Sequence, residues 1–300
     1  MCAAKRVLMI EPVAFHSNAE TYEDNFFMER NPIHRKEEIQ KLAHAEFLSF
    51  KKLLMCNGIE ILSFQDIVDN NTPDSIFPNN WFSTHEDGMF ILYPVRFESR
   101  RREKRSDIIS ELRKTYPNLV DLSHYEAKGN FLEGTGSLVF DRSNKIIYCA
   151  LSQRSNDDVL KEVEMLLGYR AVRFTAVDFQ GQAVYHTNVL LTVGFKWAVL
   201  ALETVENELE RRVLVESLVS TGHEIIEISK AQMTRFCGNM LELQNNLGEH
   251  LIVMSTQAYK GLLKKQIACL EKYGRIVHSD ISTIERFGGG GARCMLAELF

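Results

Sequence analysis

The chain has 300 residues, of which 45% are hydrophobic and 25% charged, and its formal net charge at pH 7 is −5. This composition predicts a globular protein with a sizeable core, and the mild negative charge gives no reason to expect nucleic acid as a partner. No apolar segment approaches the ~18 residues that cross a bilayer, and no signal-peptide layout precedes the first apolar run, so we expect no membrane contact.

The cysteines and histidines narrow the chemistry further. No CxxC pair or disulfide-framework spacing occurs among the six cysteines, which favours a reducing, cytoplasmic setting. Nine histidines show neither HxxxH nor HExxH spacing, so we expect no metal site and no cofactor. The six cysteines are Cys2, Cys56, Cys149, Cys237, Cys269 and Cys294.

Five stretches with helical spacing of apolar residues begin near residues 36, 100, 155, 205 and 255. The first stops at Gly58, and the second starts in a basic cluster at 100–105 that we expect to be solvated. The third has Asn156 as a capping candidate and stops at Gly168. The fourth and fifth span about 205–219 and 256–272. Each helix is followed by one short β-rich run.

Strand hairpins follow the helix–strand units, as in 138–140 with 146–148 and in 189–193 with 198–202. The fifth unit has a single run, 293–300, and 7–11 is an unused strand near the other end. Pairing these two strands would complete the fifth unit. The repeat therefore predicts one domain, 1–300, folded as a five-bladed α/β propeller of ββαβ units closed by the first and last strands. A doubly wound sheet is the alternative, but it fits the repeated hairpins poorly.

Polar side chains recur where the chain enters each hairpin, and a closed ring would gather these positions around one axis. In chain order they are Asn79 and Asn80, Glu133, His186 and Asn188, Cys237 with Asn239, and Cys294. A thiol, an imidazole and a carboxylate form a nucleophilic set in which Cys294 attacks, His186 transfers the proton and Glu133 orients or binds.

Cys294 is the favoured nucleophile because it follows four consecutive glycines, 288–291, and adjoins Arg293. Glycines allow close approach of another group, and a neighbouring cation lowers the pKa of a thiol toward a reactive thiolate. The alternatives are that Cys294 is an ordinary core cysteine, or that Cys237, which has neither the glycines nor the arginine, is the nucleophile.

Leu132-Glu133-Gly134, His186-x-Asn188 and the loop ending in Arg293-Cys294-Met295 resemble the guanidino-group modifying enzymes: arginine deiminase, dimethylarginine dimethylaminohydrolase and the amidinotransferases. The segments 11–15 and 78–85 resemble the citrulline-utilisation hydrolase branch. The resemblance implies the five-bladed propeller (pentein) fold. It also implies that Cys294 carries a covalent intermediate, that His186 and Glu133 fill the acid/base and carboxylate positions, and that Arg154 holds a substrate α-carboxylate.

The chain departs from the deiminase pattern at Asn80 and Asn188, where deiminases usually have aspartates that pair with a cationic guanidinium. Carboxamides suit a neutral ureido group instead, because they can donate to its oxygen and accept from its nitrogen. The alternative is that these asparagines are turn residues. Phe77 and Asn79, from the same entry as Asn80, are further substrate-binding candidates.

These features predict a cysteine-dependent hydrolase that converts citrulline to ornithine, ammonia and CO2. Backbone N–H groups of the glycine loop and Asn80 would stabilise the oxyanion. Hydrolysis of arginine or dimethylarginine and amidino transfer remain alternatives with the same residues, and a non-catalytic propeller that binds a partner is an alternative of another class. The expected partner is a small-molecule amino acid, and a homo-oligomer is left open.

Overall fold

The computed structural model describes residues 3–29 and 36–300, so Cys2 lies outside the described residues. Within this part the strands form five separate three-stranded sheets. The strands are β1 (Arg6–Glu11), β2 (Glu60–Gln65), β3 (Phe82–Thr84), β4 (Met89–Leu92), β5 (Asn118–Asp121), β6 (Val139–Asp141), β7 (Ile146–Ala150), β8 (Arg170–Phe174), β9 (Leu191–Val193), β10 (Trp197–Leu200), β11 (Glu224–Glu227), β12 (Leu241–Gln244), β13 (His250–Ser255), β14 (Arg275–Ser279) and β15 (Ala297–Leu299).

All five sheets have the same construction. A middle strand pairs antiparallel with one neighbour and parallel with the other, and the parallel neighbour is reached through a helical crossover. The middle strands β7 and β10 are buried along their whole length, as expected for strands covered on both faces. The sheet orders are β15-β1-β2, β3-β4-β5, β6-β7-β8, β9-β10-β11 and β12-β13-β14.

The predicted pairing of the first and last strands is present: β1 and β15 are antiparallel, with Arg6 opposite Leu299 and Leu8 opposite Ala297. The predicted strand 293–300 is shorter than expected, because Ala292–Met295 form a 3-10 turn and only Ala297–Leu299 are extended. Cys294 therefore lies on a turn rather than within the strand.

Three of the five predicted crossovers are single helices, and two are broken. The third has Asn156 as its cap, accepting from the backbone N–H groups of Asp158 and Val159. The fifth breaks at Gly261, where a Cβ would lie 2.5 Å from the Cys237 sulfur. The helices are α1 (Lys36–Cys56), α2 (Glu98–Arg101), α3 (Ser106–Leu112), α4 (Gly134–Ser137), α5 (Asp157–Leu167), α6 (Glu208–Ser220), α7 (Lys230–Met233), α8 (Thr256–Gly261), α9 (Lys264–Leu270) and α10 (Ser282–Gly288).

Short turns lead into the first strand of each sheet, and we call them the entry turns: Pro78–Asn80, Gly134–Ser137, Thr187–Val189, 238–239 and Ala292–Met295. They pack against one another at close range. At Gly134, whose φ is +44°, a Cβ would lie 2.5 Å from the Asn79 carbonyl oxygen, so only glycine fits there. The entry turns bring distant parts of the sequence to one place.

Candidate active site

A small cavity opens beside the entry turns, and both Cys294 and His186 line it. The two side chains, 108 positions apart in the chain, are almost completely buried, with exposures of 4% and 3%. The cavity also has walls from the glycine loop and from the segment 18–25. Its lining residues are Thr21, Asn25, Asp74, Phe77, Asn80, Arg100, Arg154, Tyr185, His186, Gly288, Gly289, Gly290 and Cys294.

Two carboxamides face the Cys294 sulfur. Asn239 Nδ2 lies 3.4 Å and Asn188 Nδ2 lies 3.6 Å from Sγ, and both donate to it. Burial raises the pKa of the Cys294 thiol above its ordinary value, and these two amides, with the charge of Arg293, offset part of the rise. Arg293 lowers the pKa of the thiol as predicted, but only through its charge, and burial outweighs this effect. The Arg293 guanidinium donates instead to the Leu296 carbonyl and to Glu298.

His186 and Glu133 form a buried pair, with Nε2 donating to Glu133 Oε2 at 2.7 Å. Burial lowers the pKa of the His186 imidazole below its usual value, although the Glu133 carboxylate opposes this. Burial alone would raise the pKa of Glu133, but Arg154, His186 and Arg100 together bring it below its usual value. The pair therefore consists of an ionised carboxylate and a neutral imidazole whose Nε2 carries the proton.

The other ring nitrogen of His186, Nδ1, is left as a proton acceptor, and it lies close to Asn80. A Cβ placed on Gly136 would be 2.3 Å from Asn80 Nδ2 and 2.8 Å from His186 Nδ1. Gly136 thus leaves the room that these two nitrogens occupy. Asn80 Nδ2 is buried without a hydrogen-bond partner, which makes it a free donor at the cavity.

The glycine loop is shaped by its neighbours. A Cβ at Gly290 would lie 2.8 Å from the Phe77 ring, and Tyr185 donates its hydroxyl to the Gly289 carbonyl at 2.8 Å. The N–H groups of Gly289 and Cys294 are already committed to backbone carbonyls, those of Glu285 and Gly291. Neither is available to a substrate oxyanion, so the candidate donors are Asn80 Nδ2 and the N–H groups of Gly290 and Gly291.

Arg154 lines the cavity, but its guanidinium is already paired. Nε donates to Asp24 Oδ2 at 3.0 Å, Nη2 donates to Asp24 Oδ1, and Nη1 lies 3.4 Å from Glu133 Oε2. The rings of Phe97 and Tyr185 lie 4.9 and 4.7 Å from its central carbon. A substrate carboxylate can therefore reach this guanidinium fully only where Asp24 withdraws.

Of the remaining sequence-predicted residues, Phe77 lines the cavity, whereas Asn79 and Asn188 do not. Asn79 is buried behind its turn, with its carbonyl accepting from Thr135 Oγ1 at 3.2 Å. Asn188 reaches the sulfur itself rather than the cavity. Cys237, the alternative nucleophile, is a core residue whose thiol donates to the Ala258 carbonyl at 3.3 Å, and burial raises its pKa to about 12.

Sequence reasoning placed Asn239 at a hairpin entry but gave it no role, and it missed two other contributors to the site. Asp74 and Arg100 line the cavity without any such signal. Arg100 was expected to be solvated with its basic neighbours, but it is only 3% exposed and forms an ion pair with Glu103 at 2.9 Å. Asp74 is fully buried, and its Oδ1 has no hydrogen-bond partner.

Residues 3–29 and 36–300 also bear on metal binding and membrane insertion. No group of three or more histidine, cysteine or acidic side chains there is arranged to hold a metal ion. Among the helices of these residues, none combines the length and the apolar character that a bilayer span requires.

Comparison with known proteins gives a family match over nearly the whole chain. The model of the family described as N,N dimethylarginine dimethylhydrolase, eukaryotic, matches residues 11–300. No curated protein matches the chain at a significant level.

Solved structures match over the whole fold at low sequence identity. The N-terminal domain of ArgZ, in a variant covalently bound to a reaction intermediate, has a TM-score of 0.75 and 16% identity, with 98% of this chain and 97% of that chain covered. ArgZ is described as an arginine dihydrolase from the ornithine–ammonia cycle in cyanobacteria. An AgrE variant in complex with L-arginine has a TM-score of 0.77 and 15% identity, covering 98% of this chain and 40% of that one. A dimethylarginine dimethylaminohydrolase adduct with S-methyl-L-thiocitrulline has a TM-score of 0.67 and 17% identity, covering 99% and 100%.

Proposed function

We propose that this chain, which belongs to the N,N-dimethylarginine dimethylhydrolase family of the guanidino-group modifying superfamily, cleaves a neutral ureido amino acid. Membership of this family makes it a hydrolase of non-peptide C–N bonds, and citrulline is the first candidate substrate. The products would be ornithine, ammonia and CO2. The observation that carries the proposal is that uncharged amides surround the sulfur and the adjoining cavity wall. Asn239 and Asn188 face the sulfur, and Asn80 offers an unpaired N–H.

Charge matching supports the ureido substrate. A guanidinium at the sulfur would need a carboxylate partner, because an unpaired buried charge costs several kcal/mol. The only carboxylate among the described residues that line the cavity is Asp74. Its Oδ2 accepts from Asn18 in the segment 18–25, and its Oδ1 is unpaired. Asp74 contacts neither of the two amides that donate to the Cys294 sulfur, so it fits the α-ammonium end of an amino acid rather than the reacting end.

The proposed reaction begins from a neutral thiol and a neutral imidazole. His186 Nδ1 takes the Cys294 proton as the thiolate adds to the ureido carbon, and the resulting oxyanion accepts from Asn80 Nδ2. His186 then returns the proton to the departing nitrogen. The carbonyl stays bonded to sulfur as a thiocarbamate.

Water completes the proposed reaction. It is deprotonated by His186 and attacks the thiocarbamate carbon, the C–S bond breaks, and His186 returns the proton to the sulfur. The carbamate released decomposes to CO2 and either an amine or ammonia. Glu133 keeps the His186 proton on Nε2 through both stages, so that Nδ1 remains the reacting nitrogen. Either nitrogen of the ureido group can leave first in this scheme.

At the other end of the substrate, we place the α-carboxylate on Arg154, in exchange for Asp24. This exchange needs no new buried charge, because one carboxylate replaces another on the same guanidinium. Asp24 keeps a second cation, Arg96, whose Nη1 lies 2.9 Å from its Oδ2.

We also propose that the five sheets close into one ring and form a single catalytic unit. Contacts between consecutive sheets support this. Thr84 Oγ1 donates to the Glu298 carbonyl, Thr192 Oγ1 to the Gly238 carbonyl, and the Gln244 N–H to the Ala4 carbonyl. Together with the contacts His85–Arg142 and Ala150–Thr187, these link each sheet to the next and the last to the first.

Hydrolysis of arginine or a methylated arginine is the second candidate, since the matched family model is described by dimethylarginine. A product assay offering citrulline, arginine and dimethylarginine in parallel separates the two. Ornithine and ammonia from citrulline, with little turnover of the others, is the expected result. Turnover of arginine to citrulline without further hydrolysis would overturn the ureido assignment and leave the cysteine chemistry standing.

A further inference from the structure

Asn80 is held by a buried ion pair that the reaction scheme does not use. Arg100 Nη1 donates to Asn80 Oδ1 at 2.6 Å, and Nη2 donates to the Phe77 carbonyl at 3.1 Å. The guanidinium is fixed on its other side by Glu103, with hydrogen bonds of 2.9 and 3.0 Å to the two carboxylate oxygens. Arg100 and Glu103 are 3% and 4% exposed, so the arrangement is closed to solvent.

This contact decides which end of the Asn80 carboxamide faces the cavity. An unrestrained asparagine can rotate by half a turn and present either its N–H or its carbonyl oxygen. A guanidinium has donors only, so Arg100 accepts one orientation, with Oδ1 toward itself and Nδ2 toward the cavity. The unpaired state of Nδ2 and its position beside His186 Nδ1 agree with that orientation.

A carboxamide at this position does not by itself select a ureido group. A freely rotating Asn80 would accept from a guanidinium N–H as readily as it would donate to a ureido oxygen. An asparagine restricted to donating favours an oxygen at the reacting carbon and disfavours a protonated nitrogen there. Selectivity therefore depends on the group that restricts the rotation.

We propose that Arg100, braced by Glu103, is a positioning residue that fixes Asn80 as a hydrogen-bond donor and thereby sets the preference for a ureido over a guanidino substrate. This inference rests on the proposed function, because it explains the selectivity of the same site. A purely structural pair would instead hold α2 against the Pro78–Asn80 turn and affect all substrates equally.

Two kinds of variant separate a specificity role from a structural one. Arg100→Lys keeps a side chain that only donates. The double variant Arg100→Gln with Glu103→Gln replaces the ion pair by two amides, which avoids an unpaired buried charge and lets Asn80 rotate. The readout is the ratio of kcat/KM for citrulline to that for arginine, with the thermal unfolding midpoint measured for each variant.

The double variant is expected to lower this ratio at least tenfold. Arg100→Lys is expected to keep the ratio within about threefold of the wild type, even if kcat/KM falls for both citrulline and arginine. An unchanged ratio in the double variant, or an equal loss of ratio in both variants, overturns the inference. A wild-type enzyme that prefers arginine overturns the proposed function instead, so the two failures are distinguishable.

Should the double variant fail to fold, Arg100→Gln alone at pH 6.5 gives the same test. Burial raises the pKa of Glu103, and the loss of Arg100 removes the main charge that opposes this rise, so the single variant favours a neutral Glu103 carboxyl group. The ratio is expected to fall tenfold or more here too, and a preserved ratio refutes the positioning role.

Discussion

Gly136→Ala inserts one methyl group between the two nitrogens on which the proposed chemistry depends. Gly136 lies in α4 and is not among the glycines with positive φ, so alanine meets no backbone strain there. The added carbon would lie 2.3 Å from Asn80 Nδ2 and 2.8 Å from His186 Nδ1, where ordinary contacts begin at 3.4 Å. The substitution is therefore a local steric probe of the site.

The size of the effect follows from these distances. Asn80 Nδ2 must retreat by about 1.1 Å and His186 Nδ1 by about 0.6 Å to reach ordinary contact. A displacement of ~1 Å at reacting groups costs about 10²-fold in rate, which corresponds to roughly 2.7 kcal/mol of transition-state stabilisation. We expect kcat/KM for citrulline to fall by about that factor, in an ammonia-release assay at saturating and limiting substrate.

Two comparisons test the reasoning. Gly129→Ala places a methyl group where no atom lies within 4 Å, at φ +71°, so it is expected to lose ~1 kcal/mol of stability and retain activity. In an Asn80→Ala background, Gly136→Ala should cost much less than in the wild type, because the closer of the two clashes is gone. Full activity of Gly136→Ala, or an equal loss in both backgrounds, would refute the assignment of Asn80 and His186 to the reacting site.

Three further predictions concern charged groups. Glu133→Gln should lower the single-turnover rate by about 10²–10⁴-fold, since His186 loses the carboxylate charge that keeps its proton on Nε2; a rate within tenfold of the wild type contradicts that role. Asp24→Asn should lower KM severalfold with kcat unchanged, because it removes the competitor for Arg154; a raised KM in steady-state assays would place the α-carboxylate elsewhere. Burial raises the pKa of Glu285 from an ordinary 4.5 to about 8, and the negative charges of two nearby acidic side chains add to this rise. Between pH 4.5 and 8 the unfolded chain loses this proton while the folded chain keeps it, so the free energy of unfolding of the wild type falls as pH rises. In denaturant titrations, Glu285→Gln should become more stable than the wild type by up to roughly 4–5 kcal/mol at pH 8. Parallel pH profiles of the two proteins would exclude the effect.

The sequence predicted the repeat and the reactive set for one physical reason. Each unit places its entry turn at the same point, so Glu133, His186 and Cys294 could be recognised as equivalent positions although 53 and 108 residues separate them. The structure places His186 Nε2 at 2.7 Å from Glu133 and puts Cys294 in the same cavity wall. Asn239 fits the same rule, and its contact with the sulfur at 3.4 Å follows from its place in the fourth unit.

The features that sequence reasoning missed lie outside the repeat. Arg100 belongs to a basic run whose other members are partly exposed, and nothing local shows that this one side chain turns inward to Glu103 and Asn80. Asp74 and Asp24 come from connecting segments without periodicity, and their roles depend on tertiary contacts with Asn18 and Arg154. The breaks in the second and fifth crossovers likewise reflect packing rather than helical pattern.

The charges around the cavity form internally compensated sets, and this has a consequence for the substrate. Arg154 is balanced by Asp24 and Glu133, and Arg100 is held by Glu103. The thiol and the imidazole rest uncharged, because burial raises the pKa of the first and lowers that of the second.

Within the described residues that line the cavity, this leaves the Asp74 carboxylate as the acidic group without an ion-pair partner of its own. One ammonium group is enough to match it. A second cation, such as a guanidinium at the sulfur, would then lack an anionic partner in the cavity until the thiol ionises. A ureido amino acid brings one positive charge, which would favour the ionised form of Asp74 against the burial that raises its pKa, and a neutral carbonyl for the donor of Asn80; this supports the proposed neutral substrate.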